Sequence, residues 1–175
     1  MESQARVVII GGGVVGCSIL YHPAKRGWTD VVLLERQELT AGSSWHAAGN
    51  LFTLTAPGNA AVLQKYTIEL YEEIERISGQ NCSIHKVGEL YLASTPEWLD
   101  FLKAENAKAQ YLDIDSRMLT VDEALEINPL LNPDGLIGAM YDCNDGHLDP
   151  TGVTNAYAQA ARKAGAEVHR FTPVT

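Results

Sequence analysis

The chain of 175 residues lacks any long apolar run, and it has no excess of basic residues. No stretch approaches the roughly 20 apolar residues that span a bilayer. The 13 Lys and Arg residues against 22 Asp and Glu give a net charge of −9. We therefore predict no membrane-spanning segment, and charge gives no reason to expect binding to nucleic acid or to an anionic membrane surface. The composition, 46% hydrophobic and 20% charged, is that of an ordinary globular protein.

Cysteine is also scarce. Cys17, Cys82 and Cys143 lie far apart and form no C-x-x-C pair, so the sequence predicts neither a disulfide framework nor a zinc site or other metal centre. We expect each cysteine to be a small core residue. The residues before position 6 lead at once into an apolar strand, so we expect no signal or transit peptide. These features favour a cytoplasmic location, with the mitochondrial matrix as the alternative for a mature eukaryotic chain.

A glycine-rich turn follows the first apolar run, residues 7–10. Gly11, Gly13 and Gly16 have the G-x-G-x-x-G spacing between a β-branched strand and a helix. The first glycine allows a tight turn, the second leaves room for a pyrophosphate, and the third lets the helix pack close to the sheet. The unpaired N–H groups and the dipole of the first helical turn attract phosphate. This pattern predicts a dinucleotide site.

An acidic residue supports the same interpretation. Glu35 closes the second apolar run, 31–35, at about 20 residues beyond the glycines, where a carboxylate accepts hydrogen bonds from both ribose hydroxyls. Because an acid at this position favours a free 2′-hydroxyl, the sequence indicates NAD or FAD rather than NADP.

The remaining periodicity predicts a chain of alternating elements. We expect helices at 14–26, 60–78, 96–110, 120–127 and 150–164, and further strands at 86–94, 116–119, 135–141 and 167–172. Gly27 should end the first helix, and Pro23 should kink its last turn. Thr120 and Glu123 have capping-box spacing.

The order of these elements predicts an α/β fold with two parts. A Rossmann-like βαβ domain would comprise residues 1–50 and 143–175, and an inserted α+β lobe would comprise residues 51–142. The right-handed crossover rule allows the last strand to join the sheet in parallel beside the first strand.

The segment 39–50 is rich in small and hydroxyl side chains and has no amphipathic period. Such a composition suits a segment that lies against a ligand, but composition alone slightly favours an ordinary surface loop. Residues alone do not decide between these two interpretations.

The chain resembles the N-terminal part of the FAD-dependent dimethylglycine and sarcosine dehydrogenases, which belong to the D-amino-acid-oxidase-like flavoproteins. The stretches that carry the resemblance are 8–16, 31–36, 39–49, 128–131 and 145–150. The glycine motif is shared by many flavoproteins, whereas the run Thr-Ala-Gly-Ser-Ser-Trp-His-Ala-Ala-Gly at 40–49 is far more specific. The resemblance implies that the family's flavin domain extends beyond residue 175, so the chain is expected to be a truncated part of it.

The resemblance also implies which residues hold the cofactor. It places Gly11, Gly13, Val14, Val15 and Gly16 at the pyrophosphate, Glu35 and Arg36 at the ribose and adenine, Gly42, Ser43, Ser44, Trp45, His46, Ala47, Ala48, Gly49 and Asn50 along the isoalloxazine, and the backbone of Val174 at adenine. The family's flavin is attached covalently through its 8α-methyl group to the histidine that corresponds to His46. Imidazole is largely neutral near pH 7 and is a competent nucleophile.

The implied activity is oxidation of the N-methyl group of a glycine derivative, such as dimethylglycine or sarcosine, with hydride transfer to the flavin and release of the methyl carbon to water or folate. The expected electron acceptor is an electron-transfer flavoprotein or oxygen. Two alternatives stay open, which are an oxygen-using amine or amino-acid oxidase of the same fold and a non-catalytic regulatory protein. No residue is assigned to catalysis, because histidines such as His85 and His147 are more often turn or surface residues than bases.

Overall fold

The computed structural model describes residues 4–54 and 58–175. Its strands are β1 (Val7–Ile10), β2 (Val31–Leu34), β3 (Asn50–Leu51), β4 (Glu89–Ala93), β5 (Ser116–Leu119), β6 (Gly138–Asp142), β7 (Gly146–His147) and β8 (Glu167–His169). Its helices are α1 (Val14–Lys25), α2 (Gly58–Ser78), α3 (Pro96–Tyr111), α4 (Val121–Ile127) and α5 (Pro150–Lys163), with a 3₁₀ turn at Ser44–His46. The expected elements are therefore present, with ends that move by up to three residues.

Two compact units divide the chain. The first unit comprises Met1–Gly49, Glu69–Ile84 and Leu148–Thr175, and the second comprises Asn50–Ile68 and His85–His147. The sequence-based boundaries, 1–50 with 143–175 and 51–142, differ from this division. The difference is largest at Glu69–Ile84, which was expected in the inserted lobe.

The first unit contains a parallel sheet with the order β1-β2-β8. Val7 pairs with Val31, and Leu33 pairs with Val168. The expectation that the last strand lies beside the first is wrong, because β8 is parallel but pairs with β2. The handedness rule fixes the hand of a crossover connection and leaves open which strand the next strand pairs with. Pairing beside β2 continues past the strands, where the Glu35 N–H donates to the His169 carbonyl at 2.9 Å.

The core of the first unit explains why Glu69–Ile84 belongs to it. Helices α1 and α5 pack against each other, and their apolar residues, among them Leu20 and Tyr157, are buried together with Leu70 and Ile74 of α2. Ile74 has no exposed surface. The apolar period of α2 that includes Leu70 and Ile74 also includes Leu63 and Tyr66, which are exposed. The period therefore predicted the buried face only in part, and a pattern does not say which core the face joins.

The ends of α1 follow from its sequence. The helix begins after Gly13 and ends at Lys25, one residue before the predicted end. Gly27 follows in the left-handed region with φ +85°, as a glycine does after a helix. The Pro23 carbonyl accepts hydrogen bonds from the Arg26 and Trp28 N–H groups at 2.9 and 3.1 Å. The proline thus lies in the last turn, where the chain already leaves the helix.

Two of the three cysteines are core residues, as predicted. Cys17 and Cys82 are buried, and Cys143 is partly exposed. Burial raises the pKa of Cys17 to about 12, and the nearby Glu35 carboxylate adds to the effect. The Cys17 thiol therefore stays protonated near neutral pH and behaves as a small apolar side chain.

The second unit is built on an antiparallel sheet with the order β4-β6-β5. Met140 of the central strand pairs with Tyr91 on one side and with Met118 on the other. Helix α3 packs against this sheet. Helix α4 starts with the predicted capping box, in which Thr120 and Glu123 each accept from the other's backbone N–H. Across the described parts of the chain, 4–54 and 58–175, no helix combines the length and apolar character that crossing a membrane requires.

Candidate functional site

The glycine turn joins β1 to α1 in the first unit. Gly11 has φ +110°, a backbone conformation that residues other than glycine rarely adopt. Its N–H donates to the Leu34 carbonyl at 2.9 Å, so the turn stays attached to the end of β2. The turn therefore lies at the carboxyl edge of the parallel sheet, where α/β proteins bind their ligands.

Gly16 allows α1 to approach this turn. A Cβ atom at position 16 would lie 2.0 Å from the Gly11 carbonyl oxygen, which is less than any non-bonded contact permits. A Cβ atom at Gly13 would lie 3.1 Å from the Ser44 hydroxyl. The distance at Gly16 agrees with the predicted close approach of the helix, because the Gly11 carbonyl leaves space only for hydrogen there. The contact at Gly13 is with a side-chain hydroxyl and does not test the role predicted for that glycine.

The amino end of α1 presents backbone N–H groups. Gly13 occupies the N-cap position and provides no side-chain cap. The Val14 N–H donates to the Ser44 hydroxyl at 2.9 Å, whereas the amides of Val15 and Gly16 have no carbonyl within their own helix to accept them. The positive end of the helix dipole and these donors suit a phosphate group.

The Glu35 carboxylate is fixed beside this turn. Its Oε2 accepts from the Gly12 N–H at 2.6 Å, and its Oε1 accepts from the Gln37 N–H at 2.7 Å. Each carboxylate oxygen retains a further lone pair after these bonds, so the pair of oxygens can still accept two ribose hydroxyls. The structure thus places the predicted acid at the glycine turn in an orientation that backbone donors maintain.

Gly12 and Thr40 also belong to the turn, although neither was among the residues predicted for the site. A Cβ atom at Gly12 would lie 2.6 Å from Leu39 Cδ2 and 3.0 Å from Glu35 Cβ, and the Thr40 N–H donates to the Gly12 carbonyl at 3.0 Å. Thr40 is buried and has φ +68°. Gly12 is the middle of three consecutive glycines, and this run was the sequence feature that could have placed it in the site. The unusual backbone of Thr40 left no signal in the sequence.

The segment that carries His46 folds back over the glycine turn through Ser44. The Ser44–His46 turn holds the His46 and Trp45 rings with centroids 3.8 Å apart and planes inclined by 37°. His46 is exposed. Its Nδ1 lies 3.2 Å from the Gly42 carbonyl oxygen, and a carbonyl only accepts, so Nδ1 carries the proton in this contact. Nε2 then has the free lone pair.

The other predicted cofactor residues are distributed as follows. Val15, Arg36, Gly42, Ser43, Ala47, Ala48 and Val174 are exposed, and Gly49 is partly exposed. Asn50 belongs to the second unit, where it pairs with His147. Val174 lies two residues beyond Thr172, whose N–H donates to the Glu35 carbonyl at 2.8 Å. This hydrogen bond brings the C-terminal segment to the end of β2, the same edge as the glycine turn.

A separate cavity of about 240 Å³ lies in the first unit beside Thr29, Asp30 and Glu167. These residues precede or begin β2 and β8, so the cavity is at the amino ends of the strands, opposite the glycine turn. Within residues 4–54 and 58–175, no group of three or more His, Cys, Asp or Glu side chains is arranged to hold a metal ion.

Comparison with known proteins defines the class of this fold and site. The family model for FAD-dependent oxidoreductases matches residues 6–175, and the chain therefore belongs to the FAD-dependent oxidoreductase family. The structure of L-proline dehydrogenase from P. horikoshii superposes with a TM-score of 0.91 at 27% identity, covering 100% of this chain and 46% of that one.

Three relatives are similar over nearly the whole chain. Mitochondrial dimethylglycine dehydrogenase of Rattus norvegicus is 43% identical over 99% of this chain, and mitochondrial sarcosine dehydrogenase of Homo sapiens is 38% identical over 100%. The mitochondrial pyruvate dehydrogenase phosphatase regulatory subunit of Mus musculus is 36% identical over 99%. The chain spans only about a fifth of the length of each of these relatives.

The residues at the turn fit the adenosine diphosphate part of FAD. The open backbone at Gly11, where an added Cβ would meet no atom within 4 Å, the amide donors at the start of α1 and the Glu35 carboxylate are features that such a ligand requires. The resemblance to FAD-dependent flavoproteins inferred from the sequence is thereby confirmed at the level of family and fold.

We expect Gly16→Ala to disrupt the turn. The added Cβ would meet the Gly11 carbonyl, and because a backbone carbonyl cannot rotate away, α1 has to move off the sheet. The free energy of unfolding should fall by about 2 kcal/mol or more, measured by urea denaturation.

The matched control is Gly58→Ala, since a Cβ atom at Gly58 has no atom within 4 Å. It should change the free energy of unfolding by less than about 1 kcal/mol. Equal unfolding midpoints for the two variants would contradict the steric role of Gly16.

Proposed function

We propose that this chain binds FAD and serves the oxidative demethylation of an N-methylated amino acid, such as dimethylglycine or sarcosine. The observation that carries the proposal is the 43% identity to a dimethylglycine dehydrogenase over nearly the whole chain. The geometry of the glycine turn supports the cofactor, and the identity supports the class of substrate.

In this proposal, the amino end of α1 and Gly11, Gly13 and Gly16 hold the pyrophosphate, and the Glu35 carboxylate accepts the ribose hydroxyls. The backbone near Val174 would contact adenine. FAD supplies the two-electron chemistry that amino-acid side chains lack. The chain's own contribution is to fix the cofactor's position through backbone donors and one carboxylate.

We further propose that His46 is the point of covalent attachment for the flavin. The Gly42 carbonyl orients the ring so that Nε2 is the nitrogen with a free lone pair, and Nε2 is therefore the nitrogen that would bond to the 8α carbon. The new bond would replace a methyl C–H bond, whose two electrons would remain on the flavin and leave it reduced. The exposure of His46 leaves the ring accessible to a ligand. Attachment prevents loss of the cofactor.

The electron acceptor, the folate site and the cellular location are also proposals. The electron acceptor would be an electron-transfer flavoprotein or oxygen, and folate would receive the methyl carbon at a site outside residues 1–175. A cytoplasmic location remains the sequence-based prediction, while the named relatives are mitochondrial. We assign no catalytic residue within this chain.

A regulatory role is the second candidate, because a phosphatase regulatory subunit is 36% identical to this chain. A protein of this kind would keep the fold and would not oxidise amines. Flavin attachment and reduction by substrate distinguish the two candidates, since the regulatory role requires neither.

Replacement of His46 by alanine should release the flavin from the protein. After denaturation in acid and filtration, the yellow colour should stay with the wild-type protein and pass the filter with His46→Ala, because the bond to Nε2 cannot form. His85→Ala, which removes another exposed imidazole, should retain the colour. Colour that stays with His46→Ala would disprove the assignment.

Substrate specificity is tested by anaerobic mixing of the flavin-loaded protein with dimethylglycine, sarcosine or glycine. We expect the N-methylated compounds to bleach the flavin absorbance and to yield one formaldehyde per methyl group removed, whereas glycine should do neither. Reduction by glycine in preference to dimethylglycine would instead support an amino-acid oxidase. Reoxidation by air, compared with an electron-transfer flavoprotein, identifies the acceptor.

A further inference from the structure

Two buried aspartates in the second unit have no role in the proposed function. Asp142 ends β6, and Asp145 lies in the turn before β7. Both are 0% exposed, and Thr53, which contacts both, is 2% exposed. Buried carboxyl groups are rare unless a cation or several donors compensate for the loss of water, so this group requires an explanation.

The Thr53 hydroxyl lies between the two carboxyl groups. Its Oγ1 is 2.6 Å from Asp142 Oδ2 and 3.1 Å from Asp145 Oδ1. The Thr53 backbone N–H also donates to Asp145 Oδ1, at 2.7 Å. Thr53 is about 90 residues away from both aspartates in sequence, so these contacts attach the segment after β3 to the turn that follows β6.

A count of protons shows that two carboxylates do not satisfy this arrangement. The Thr53 hydroxyl has one proton and can donate to one carboxyl group only. If both aspartates were ionised, the other short contact would bring oxygen lone pairs together without a hydrogen, and two negative charges would repel in a medium of low dielectric constant. One added proton converts that contact into a hydrogen bond.

A hydroxyl with one proton also lies between two carboxyl groups on the other side of Asp145. The Tyr91 hydroxyl of β4 lies 3.2 Å from Asp145 Oδ2 and 3.0 Å from Glu89 Oε2, and it too has a single proton. Glu89 is exposed. The alternating hydroxyl and carboxyl groups therefore connect the buried pair with solvent, which gives the proton a route of exchange.

Within the described residues, the groups that act most strongly on the pair are neutral donors and further carboxylates. Beyond Thr53, Tyr91 and Glu89, they are the Asn144 N–H, which donates to Asp142 Oδ1 at 3.0 Å, and the carboxylate of Asp115, which acts on Asp142. Burial, followed by the charge of Asp142, raises the pKa of Asp145 to about 7. Burial also raises the pKa of Asp142.

We propose that Asp142 and Asp145 share one proton near neutral pH, and that loss of this proton loosens the Thr53 segment from the β6–β7 turn. The pair titrates as a unit, so the proton belongs to both carboxyl groups. Beside this contact, Asn50 and Leu51 of β3 pair with the two residues of β7, and this short pairing depends on it.

The sign of the pH dependence follows from the raised pKa. Aspartates in the opened or unfolded segment lose their protons near pH 4, whereas the folded pair keeps one up to about pH 7. The closed form therefore binds more protons than the open form between these values, and its stability falls as the pH rises. Above about pH 7 both forms have released the proton, and the effect levels off.

Infrared spectroscopy detects the proton directly. At pH 6, carboxyl groups with ordinary pKa values are ionised, so the wild-type protein should show the carbonyl stretch of a protonated carboxyl group that shifts on labelling with [4-¹³C]aspartate. The isotope shift separates this band from flavin carbonyls. The band should disappear as the pH rises above about 7, and it should be absent in the double variant Asp142→Asn, Asp145→Asn.

Hydrogen exchange tests the conformational part. Protection of the peptide around Thr53, corrected for the intrinsic exchange rate, should fall roughly tenfold per pH unit between pH 5 and 7. The reason is that the open form binds one proton fewer than the closed form in this range. In Asp145→Asn, the amide oxygen still accepts from Thr53, and protection should change less than about threefold over this range. Asp142→Asn provides the same test if Asp145→Asn does not fold.

The matched control is Asp134→Asn, which removes an exposed carboxylate of the same unit and should keep the wild-type slope. Absence of an aspartate-sensitive carboxyl band in the wild-type protein at pH 6 would overturn the proposal. A wild-type slope in the asparagine variants would overturn it as well.

Discussion

The hydrogen bond from the Gly12 N–H to the Glu35 carboxylate, at 2.6 Å, connects two segments that are 23 residues apart. It acts with the backbone bond from Gly11 to Leu34, so the turn after β1 is held at the end of β2. A bond to an ionised acceptor is stronger than a neutral one. The position of the turn, and with it the start of α1, depends on this contact.

The contacts around the turn also determine what the site can bind. Gly16 lets α1 approach the Gly11 carbonyl, which directs the first amides of the helix toward the space above the sheet. Ser44 connects the segment of His46 to the same helix end. A ligand with a diphosphate and a ribose would engage both these donors and the remaining lone pairs of the carboxylate, whereas an isolated phosphate would engage the donors alone.

Local patterns in the sequence were sufficient to predict the glycine turn, the acid beside it and most elements. The spacing of Gly11, Gly13 and Gly16 and the position of Glu35 follow from the geometry of one βαβ unit, which is contiguous in sequence. The capping box of Thr120 and Glu123 was predictable for the same reason, since its two residues are neighbours on one helical turn.

Contacts between distant residues were not predictable. Both strands of the first βαβ unit are short apolar runs, and nothing in them shows that β8 would pair with β2. Likewise, the apolar face of α2 does not reveal that Ile74 joins the core of the first unit. The Thr53 contact with Asp142 and Asp145 spans 89 and 92 residues, and none of the three residues lies in a motif that predicts a polar cluster.

The role of the Glu35 carboxylate in holding FAD is measured by fluorescence titration of the apoprotein with FAD in a His46→Ala background, where binding is reversible. Glu35→Gln replaces one acceptor oxygen with an NH₂ group that opposes a backbone donor and a ribose hydroxyl. The Kd for FAD should therefore rise about tenfold or more. FMN, which lacks the adenosine, should show a smaller rise in Kd than FAD. An unchanged Kd for FAD in Glu35→Gln would show that the Glu35 carboxylate does not hold the ribose of FAD.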